Sequence, residues 1–271
     1  MVMTENIGPR MVLITGATGA IGRAIARQIA AIPGYEVVLA CRNEEKARQA
    51  AGEISQATGN QQVRYEIVDV SRQASISALA GRWQGPLHVL VNNAAISPRS
   101  RQETPEGIEM QFATNVLGYF WLTQAFSEIL QQSAPARVVN VASYYAGDLD
   151  LHDLEFKRRR YHNGTAYRQS KQANRMLTVA WAERLQPYGI SVNACHPGDV
   201  NSALSNSLGF GGSQSPDEGA RTPVWLATDP IGQQRTGKYF ADRREVRCHF
   251  GEDRVGVEAL YQACLRYSNE M

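Results

Sequence analysis

A tyrosine and a lysine four positions apart could together perform acid–base chemistry. Tyr167 and Lys171 lie in a segment with a helical pattern, so the spacing places both side chains on one face of that helix. A free tyrosine has a pKa of about 10, and a neighbouring ammonium group favours its phenolate form. The pair therefore predicts a phenol that exchanges protons at neutral pH. The alternative is a surface pair on an amphipathic helix.

Two polar residues elsewhere in the chain would complete such a site. Ser143 follows the apolar run 137–142, and ligands of open α/β sheets bind beyond the carboxyl ends of the strands. We expect its hydroxyl to hydrogen-bond a substrate oxygen on which negative charge develops, the alternative being a strand-end cap. Asn115 lies in a helical segment otherwise rich in apolar residues, where the alternative is a buried amide with satisfied hydrogen bonds.

A glycine-rich turn follows the first apolar run of the chain. Residues 15–22 are Thr-Gly-Ala-Thr-Gly-Ala-Ile-Gly, and a helix with a stripe of isoleucines follows them. Glycines at a strand-to-helix junction let the backbone approach a pyrophosphate, which the helix N-terminus attracts. The turn therefore predicts a dinucleotide site formed by Gly16, Thr18, Gly19, Ala20, Ile21 and Gly22.

The end of the second predicted strand indicates which dinucleotide binds. An acidic residue there would accept hydrogen bonds from the free ribose 2′-hydroxyl of NAD, whereas an arginine would pair with the 2′-phosphate of NADP. This chain has Arg42 at that point and no acid. The sequence therefore favours NADP(H) over NAD(H), the alternative being that Arg42 is a solvated surface residue. Glu44 and Glu45 come later and are explained as the acids that open a helix capped by Asn43.

Seven short apolar runs alternate with helical patterns along the chain. The runs are residues 11–15, 36–40, 63–68, 87–92, 137–142, 190–195 and 238–241. Such alternation predicts an α/β fold with one doubly wound (Rossmann) domain over residues 1–271, in which helices cover both faces of a seven-stranded, mostly parallel sheet. The run 63–68 alternates between apolar and polar residues, which predicts an edge strand.

Helices and long loops fill the intervals between these runs. Helical patterns cover about residues 71–82, 105–132 and 166–186, and an apolar stripe near the C-terminus predicts a helix that covers the domain or a neighbouring subunit. Segments 148–164 and 202–217 are long and irregular, and we expect them to be substrate loops. The first contains the basic run 157–160, which four nearby acidic residues offset, so a solvated flap is favoured over an anion site.

Composition and charge argue against several classes of protein. The chain has 28 Lys and Arg against 26 Asp and Glu, with no basic face, so no nucleic-acid partner is expected. No apolar run approaches the roughly 20 residues that cross a bilayer, so no membrane span is expected. The four cysteines form no CxxC pair and the five histidines show no paired metal spacing. These features favour a reducing, cytoplasmic location and no metal site.

Taken together, these motifs resemble the short-chain dehydrogenase/reductase family over essentially the whole chain. The resemblance rests on the glycine turn, Asp69-Val70, Asn92-Asn93-Ala94-Ala95, Asn115, Ser143, Tyr167-x-x-x-Lys171 and Pro197-Gly198. It implies that Asp69 and Val70 hold the adenine, that Asn93 and Ala94 line the cofactor, and that Pro197 and Gly198 flank the nicotinamide. The implied cofactor site continues to Val200 and Ser202, where the Ser202 hydroxyl would meet the nicotinamide amide.

The same resemblance implies roles for the chemical residues. Tyr167 would be the general acid/base, and Lys171 would tune it and hold the nicotinamide ribose. Asn115 would help to hold Lys171 through a water molecule and extend a proton relay, while Ser143 would bind the substrate oxygen. The implied reaction is hydride transfer between NADP(H) and the carbonyl or alcohol of an apolar small molecule. A non-catalytic NADP-binding sensor or scaffold of the same fold is the alternative.

Within the family, the chain looks most like the retinol-dehydrogenase-like and protochlorophyllide-reductase-like group. This likeness rests on Ala40-Cys41-Arg42, Leu151-His152-Asp153-Leu154, His196-Pro197-Gly198 and Thr236-Gly237-Lys238-Tyr239-Phe240. The glycine spacing departs from the family's commonest pattern, since Ala20 stands where glycine is usual, and Ala95 likewise replaces glycine. Family members often form a homodimer through their long helices, although this group need not, so both a monomer and a homodimer are expected alternatives.

Overall fold

The structure is a computed structural model that describes residues 8–269. A single sheet runs through these residues. Its strands are β1 (Arg10–Thr15), β2 (Tyr35–Cys41), β3 (Val63–Ile67), β4 (Val89–Asn92), β5 (Ala136–Val141), β6 (Ile190–Cys195), β7 (Tyr239–Ala241) and β8 (Arg244–Val246). Their order is β3-β2-β1-β4-β5-β6-β7-β8, and every neighbouring pair is parallel except β7 with β8. The predicted doubly wound architecture is confirmed.

Helices cover both faces of the sheet. They are α1 (Ala20–Ala30), α2 (Glu44–Thr58), α3 (Gln73–Arg82), α4 (Gly118–Gln132), α5 (Asn163–Leu185), α6 (Ala203–Ser207), α7 (Pro216–Thr228), α8 (Ile231–Gln234) and α9 (Arg254–Asn269). One apolar core contains residues of α3, α4, α5 and α9, and the other contains residues of α1, α2 and α7. Leu13 of β1 belongs to the first core, whereas Val12 and Ile14 belong to the second. Successive side chains of a strand point to opposite faces, which explains why β1 is apolar at every position from 11 to 14.

The seven predicted strands are present, and an eighth corrects the predicted number. Strand β8 pairs with β7 in an antiparallel hairpin whose two connecting residues, Asp242 and Arg243, have φ of 48° and 58°. Such φ values are typical of tight hairpin turns. Arg244 and Glu245 are exposed, so β8 has no apolar run by which the sequence could indicate it. Strand β3 lies at the sheet edge and is half-buried along its whole length, as its alternating pattern predicted.

The predicted helix 105–132 is wrong at its beginning. Residues 104–107 form a turn, in which Gly107 has φ of 81° and donates its N–H to the carbonyl of Thr104, and helical backbone begins only at Met110. The Glu109 carboxylate then accepts hydrogen bonds from the N–H groups of Gln111 and Phe112, which satisfies donors at the helix start. A π-helical turn, Phe112–Leu117, follows and leads directly into α4.

The other helices lie close to their predicted positions. Asn43 caps α2 as expected, accepting a hydrogen bond of 2.9 Å from the N–H of Lys46. The stripe of the C-terminal helix covers the domain itself, since Val257, Leu260 and Cys264 are buried in the core. Among residues 8–269, no helix has the length and apolar character that crossing a bilayer requires.

Candidate active site

The predicted site residues gather where the strand order reverses. Strands β1, β2 and β3 extend toward one edge of the sheet, and β4, β5 and β6 extend toward the other. Open α/β sheets bind ligands beyond the carboxyl ends of their strands at this switch point. Gly16 directly follows β1, Asn93 directly follows β4, and Ser143 lies two residues beyond β5. The topology thus explains how distant motifs reach one crevice.

The glycine turn is packed too closely for larger residues. Gly16 has φ of 64°, and a Cβ there would lie 2.9 Å from the Cα of Ala94. A Cβ on Gly22 would lie 2.4 Å from the carbonyl oxygen of Gly16. Helix α1 begins after Gly19 with no side-chain cap, so no side chain competes with a ligand for its first-turn N–H groups. The turn therefore fits a pyrophosphate bound by the backbone.

Thr15 braces this turn, a role that the sequence analysis missed. Its hydroxyl oxygen accepts hydrogen bonds from the N–H groups of Asn93 (2.9 Å) and Ala94 (3.1 Å) and donates one to the carbonyl of Val91. The Asn93 amide in turn donates to the carbonyl of Thr15 at 2.8 Å. Asn93 and Ala94 thus hold the turn against β4. The available signal was a threonine ending an otherwise apolar strand.

Arg42 and Thr18 lie near the carboxyl end of β2. The Arg42 side chain is exposed and forms no ion pair with any carboxylate of residues 8–269. Arg23 is instead paired with Glu53 of α2. Burial raises the pKa of the Cys41 thiol, against the opposing effect of the neighbouring Thr18. Arg42 therefore has no carboxylate partner among residues 8–269, whereas Arg23 has one, so Arg42 is the better candidate to pair with an anionic ligand.

The remaining cofactor residues sit in turns at strand ends. Asp69 accepts hydrogen bonds from the N–H and the hydroxyl of Ser71, which shapes the turn after β3, and Val70 is buried beside it. Pro197 and Gly198 follow β6, and Gly198 has φ of 103°. These positions match the expected places, and their roles toward a cofactor stay predictions.

Tyr167 and Lys171 are both buried beside Ser143. Burial raises the pKa of Tyr167 to about 12, against the opposing effect of the neighbouring Ser143 hydroxyl. The Lys171 ammonium donates to the carbonyl of Val141 at 2.9 Å and lies 5.6 Å from the centre of the Tyr167 ring. Burial lowers the pKa of Lys171 to about 7.

The prediction that the neighbouring ammonium makes the Tyr167 phenol favour its anionic form is therefore corrected: in this chain, burial raises the pKa of Tyr167. Burial disfavours both the phenolate and the ammonium, and it outweighs their mutual attraction at this separation. Tyr167 holds its proton at neutral pH. A protonated phenol beside Ser143 can donate its proton to an oxygen that gains negative charge, which is general-acid chemistry.

An apolar cavity of about 420 Å³ opens onto Tyr167 and Ser143. Tyr144, Tyr145 and Phe210 present aromatic rings to it, and the Tyr145 ring stacks on that of Tyr167 with centroids 6.4 Å apart. The remaining lining residues include Ile21, Ser143, His196, Pro197, Gly198, Val200, Ser202, Leu204, Ser205 and Leu208. The cavity thus joins predicted cofactor residues to Tyr167 and Ser143, and its lining suits an apolar ligand.

One of the two predicted substrate loops contributes to this cavity. Ser202 lines it and also caps α6, since its hydroxyl accepts a hydrogen bond from the N–H of Ser205 at 3.1 Å. Val200 pairs with Gln214 across the base of the loop. No residue of 148–164 lines the cavity.

Residues 10–209 match the family model described as short chain dehydrogenase. The chain belongs to the short-chain dehydrogenase/reductase family. Family members are oxidoreductases that bind nicotinamide cofactors. Retinol dehydrogenase 12 of Mus musculus is 38% identical over an alignment of 257 residues that covers 89% of this chain and 81% of that protein, gaps accounting for the difference. Retinol dehydrogenase 11 of Homo sapiens is 35% identical over an alignment of 260 residues that covers 91% of this chain and 80% of that protein.

Solved structures of similar fold include complexes with both nicotinamide cofactors. An uncharacterised protein from Mycobacterium paratuberculosis has a TM-score of 0.80 and 29% identity, covering 96% of this chain and 93% of its own. A 3-ketoacyl-(acyl-carrier-protein) reductase from Brucella melitensis, complexed with NADH, has a TM-score of 0.67 and 25% identity, covering 87% of this chain and 97% of its own. A short-chain-dehydrogenase-like protein of Escherichia coli CFT073, complexed with NADPH, has a TM-score of 0.69 and 26% identity, covering 88% of this chain and 98% of its own.

Asn115 lies within the π-helical turn of this family member. Its side-chain oxygen accepts from the N–H of Ile96 at 2.9 Å, and its amide donates to the Ile96 carbonyl and to the Ser170 hydroxyl. The amide is fully buried and satisfied, and it holds the residue directly before Lys171 rather than Lys171 itself. A contact through water stays a prediction. A π-helical turn at such a place is often functional.

The segment 148–164 is held against α5 and the region before α4. The buried Asp153 carboxylate accepts hydrogen bonds from the N–H groups of Lys157, Arg158 and Arg159. The Tyr161 hydroxyl donates to the carbonyl of Pro98 at 2.9 Å. The Asp153 carboxylate therefore fixes the backbone of the basic run 157–160.

Among residues 8–269, no group of three His, Cys, Asp or Glu could hold a metal ion.

Proposed function

We propose that this family member transfers a hydride between NADP(H) and the carbonyl or alcohol of an apolar small molecule, with Tyr167 as general acid/base. The observation that carries this proposal is a buried, protonated phenol that lines an apolar cavity together with Ser143. The names of the relatives, retinol dehydrogenases, support an apolar alcohol or its carbonyl as substrate. A sensor or scaffold would not need a buried phenol beside Ser143 at the cavity wall.

The chain's own groups would act on the substrate oxygen. The nicotinamide, when bound, supplies or accepts the hydride at the substrate carbon. In the direction of reduction, the Ser143 hydroxyl donates a hydrogen bond to the oxygen as negative charge develops. Tyr167 then transfers its proton to that oxygen. Lys171, buried at 5.6 Å from the Tyr167 ring, stabilises the phenolate that remains.

The residues that would hold the cofactor surround the switch point. The glycine turn and the start of α1 would bind the pyrophosphate, and Lys171 would hold the nicotinamide ribose. Arg42 would pair with the 2′-phosphate, which is why we propose NADP(H). Cys41, Cys195, Cys248 and Cys264 are free thiols, which favours a reducing compartment and supports a cytoplasmic location.

Replacing Tyr167 by phenylalanine tests the acid/base assignment. We expect Tyr167→Phe to lower kcat for carbonyl reduction by about 10²- to 10⁴-fold, because the proton donor is lost. Thermal stabilisation by NADPH should persist, because the pyrophosphate and 2′-phosphate contacts remain. Tyr188→Phe is the matched control, since that ring is exposed. Full turnover by Tyr167→Phe would refute the mechanism, and a wild-type chain that binds NADPH but turns over no carbonyl would favour the sensor.

Replacing Arg42 tests the preference for NADP(H). We expect Arg42→Ala to raise KM for NADPH by about 10-fold or more and to leave KM for NADH unchanged, because a charged hydrogen bond to the 2′-phosphate is lost. Steady-state kinetics with both cofactors measures this. Arg244→Ala is the control, as an exposed arginine at the opposite end of the sheet. Equal effects on both cofactors would contradict the proposed preference.

A further inference from the structure

Arg175 is a buried arginine one helical turn beyond Lys171. It is 6% exposed, and its guanidinium donates to the carbonyl of Ser143 and, at 2.7 Å, to the hydroxyl of Tyr239. The guanidinium also lies 3.8 Å from the centre of the Tyr239 ring. Within residues 8–269, no carboxylate forms an ion pair with it, and its Nε is buried without a hydrogen-bond partner.

This placement is unfavourable for folding. A buried charge loses its hydration, and replacing buried charges by apolar groups of similar volume is often neutral or stabilising. Arg175 contacts two neutral oxygen acceptors, and one of them is the carbonyl of Ser143, the residue proposed to bind the substrate oxygen. A costly group bonded to the backbone of a site residue points to a role in the site.

His196 holds the other end of the same peptide group. Its Nδ1 accepts a hydrogen bond of 3.2 Å from the N–H of Tyr144. The peptide group between Ser143 and Tyr144 is thus bonded at its carbonyl by Arg175 and at its N–H by His196. The N–H of Tyr145 donates to the Ser143 Oγ at 3.0 Å, which fixes the hydroxyl oxygen as well.

We propose that Arg175 and His196 form a peptide clamp that positions the Ser143 hydroxyl toward the substrate oxygen and beside Tyr167. Both are positioning residues, because they act through the Ser143–Tyr144 peptide. Arg175 also adds a buried positive charge near the oxygen on which negative charge develops. The peptide clamp rests on the proposed function, since it acts on the proposed role of Ser143.

The peptide clamp requires His196 to be neutral at Nδ1, because only an unprotonated nitrogen accepts a hydrogen bond. Burial and the charge of Arg175 lower the pKa of His196 to about 4, against the opposing charges of Asp242 and Asp199. The Tyr144 ring packs on the imidazole at 4.5 Å between centroids. His196 is therefore an acceptor at neutral pH.

Variants of Arg175 test the peptide clamp directly. We expect Arg175→Met to lower kcat by roughly 10- to 100-fold, because a small misplacement of a catalytic group has effects of that size. KM should change by less than about 3-fold, and the melting temperature should stay the same or rise. Arg175→Lys, which keeps a charged donor, should recover part of kcat. Arg184→Met is the control, an arginine of the same helix that pairs with Glu258 near the surface.

Variants of His196 separate a positioning role from simple packing. The side-chain oxygen of His196→Asn can take the place of Nδ1 as acceptor and should keep most of kcat, whereas His196→Leu should lose roughly 10-fold or more. Two-bond ¹H–¹⁵N NMR should show an unprotonated Nδ1 in the wild type. In Arg175→Met the pKa of His196 should rise, whether or not the chain turns over a carbonyl.

Outcomes that contradict the peptide clamp differ from those that contradict the proposed function. The peptide clamp is wrong if Arg175→Met keeps wild-type kcat while Tyr167→Phe is inactive, or if Nδ1 of His196 carries a proton at neutral pH. A wild-type chain inactive on every carbonyl contradicts the function alone, and the NMR measurement then decides whether His196 and Arg175 hold the peptide.

Discussion

Lys171 has an ammonium group that lies between two aromatic rings. It is 5.4 Å from the centre of the Tyr119 ring and 5.6 Å from that of Tyr167, and it donates to the carbonyl of Val141. The Tyr119 hydroxyl donates to the same carbonyl at 3.3 Å. No carboxylate of residues 8–269 pairs with the ammonium. A phenolate on Tyr167 would supply the missing negative charge, so proton transfer from Tyr167 and the charge of Lys171 support each other.

The burial of Lys171 predicts a pH dependence of stability. Its pKa in the folded chain, about 7, lies below the value of about 10.4 for an unfolded lysine. Between these values the unfolded chain binds more protons, so the free energy of unfolding rises with pH, by up to about 1.4 kcal/mol per pH unit. Lys171→Met should remove this rise in urea unfolding between pH 7 and 9.5, and Lys46→Met, on an exposed lysine, should not. An identical pH slope in Lys171→Met would contradict the lowered pKa of Lys171.

At the scale of elements, the sequence predicted the strands and helices that have an apolar periodicity or a capping residue of their own. The alternation in β3 indicated an edge strand, and Asn43 followed by two acids indicated the start of α2. The start of the helical segment that leads into α4 could not be predicted, because a buried carboxylate, Glu109, accepts hydrogen bonds from its first N–H groups. The peptide clamp could not be predicted either, since Arg175 and His196 meet one peptide only after α5 packs beside β5 and β6.

The loop 202–217 contains a glycine, Gly212, at a position where no larger residue fits. Gly212 has φ of 67°, and a Cβ there would lie 2.3 Å from the backbone nitrogen of Asn201, whereas a Cβ on Gly211 would meet nothing within 4 Å. We expect Gly212→Ala to displace the loop, to lower stability by about 1–3 kcal/mol and to raise KM for the carbonyl substrate. Gly211→Ala should stay within about 0.5 kcal/mol of the wild type. Urea unfolding and steady-state kinetics measure both, and equal behaviour of the two variants would show that the loop does not need this backbone conformation.

At the scale of the whole molecule, the C-terminal helix completes the core on one side. The Tyr261 ring of α9 packs on Phe120 of α4 and Trp181 of α5, with centroids 5.2 Å and 5.3 Å apart. Leu260 is fully buried in the same core. Helix α9 thus covers α4 and α5 at these rings, and a homodimer could not use the area that it covers. Both apolar cores pack on the same sheet, and the single domain over residues 1–271 stays a prediction.

This arrangement predicts that α9 unfolds together with the rest of the chain. Leu260→Ala should lower the free energy of unfolding by about 2–5 kcal/mol, because it leaves a cavity between α9 and the core. Val255→Ala, on the same helix and 82% exposed, should change it by less than about 0.5 kcal/mol. Far-UV circular dichroism and tryptophan fluorescence should give coincident urea transitions in both variants, since one cooperative unit loses secondary structure and core packing together. If fluorescence changed at lower urea than circular dichroism in Leu260→Ala, α9 would be a separate, weaker unit and the single-domain interpretation would be wrong.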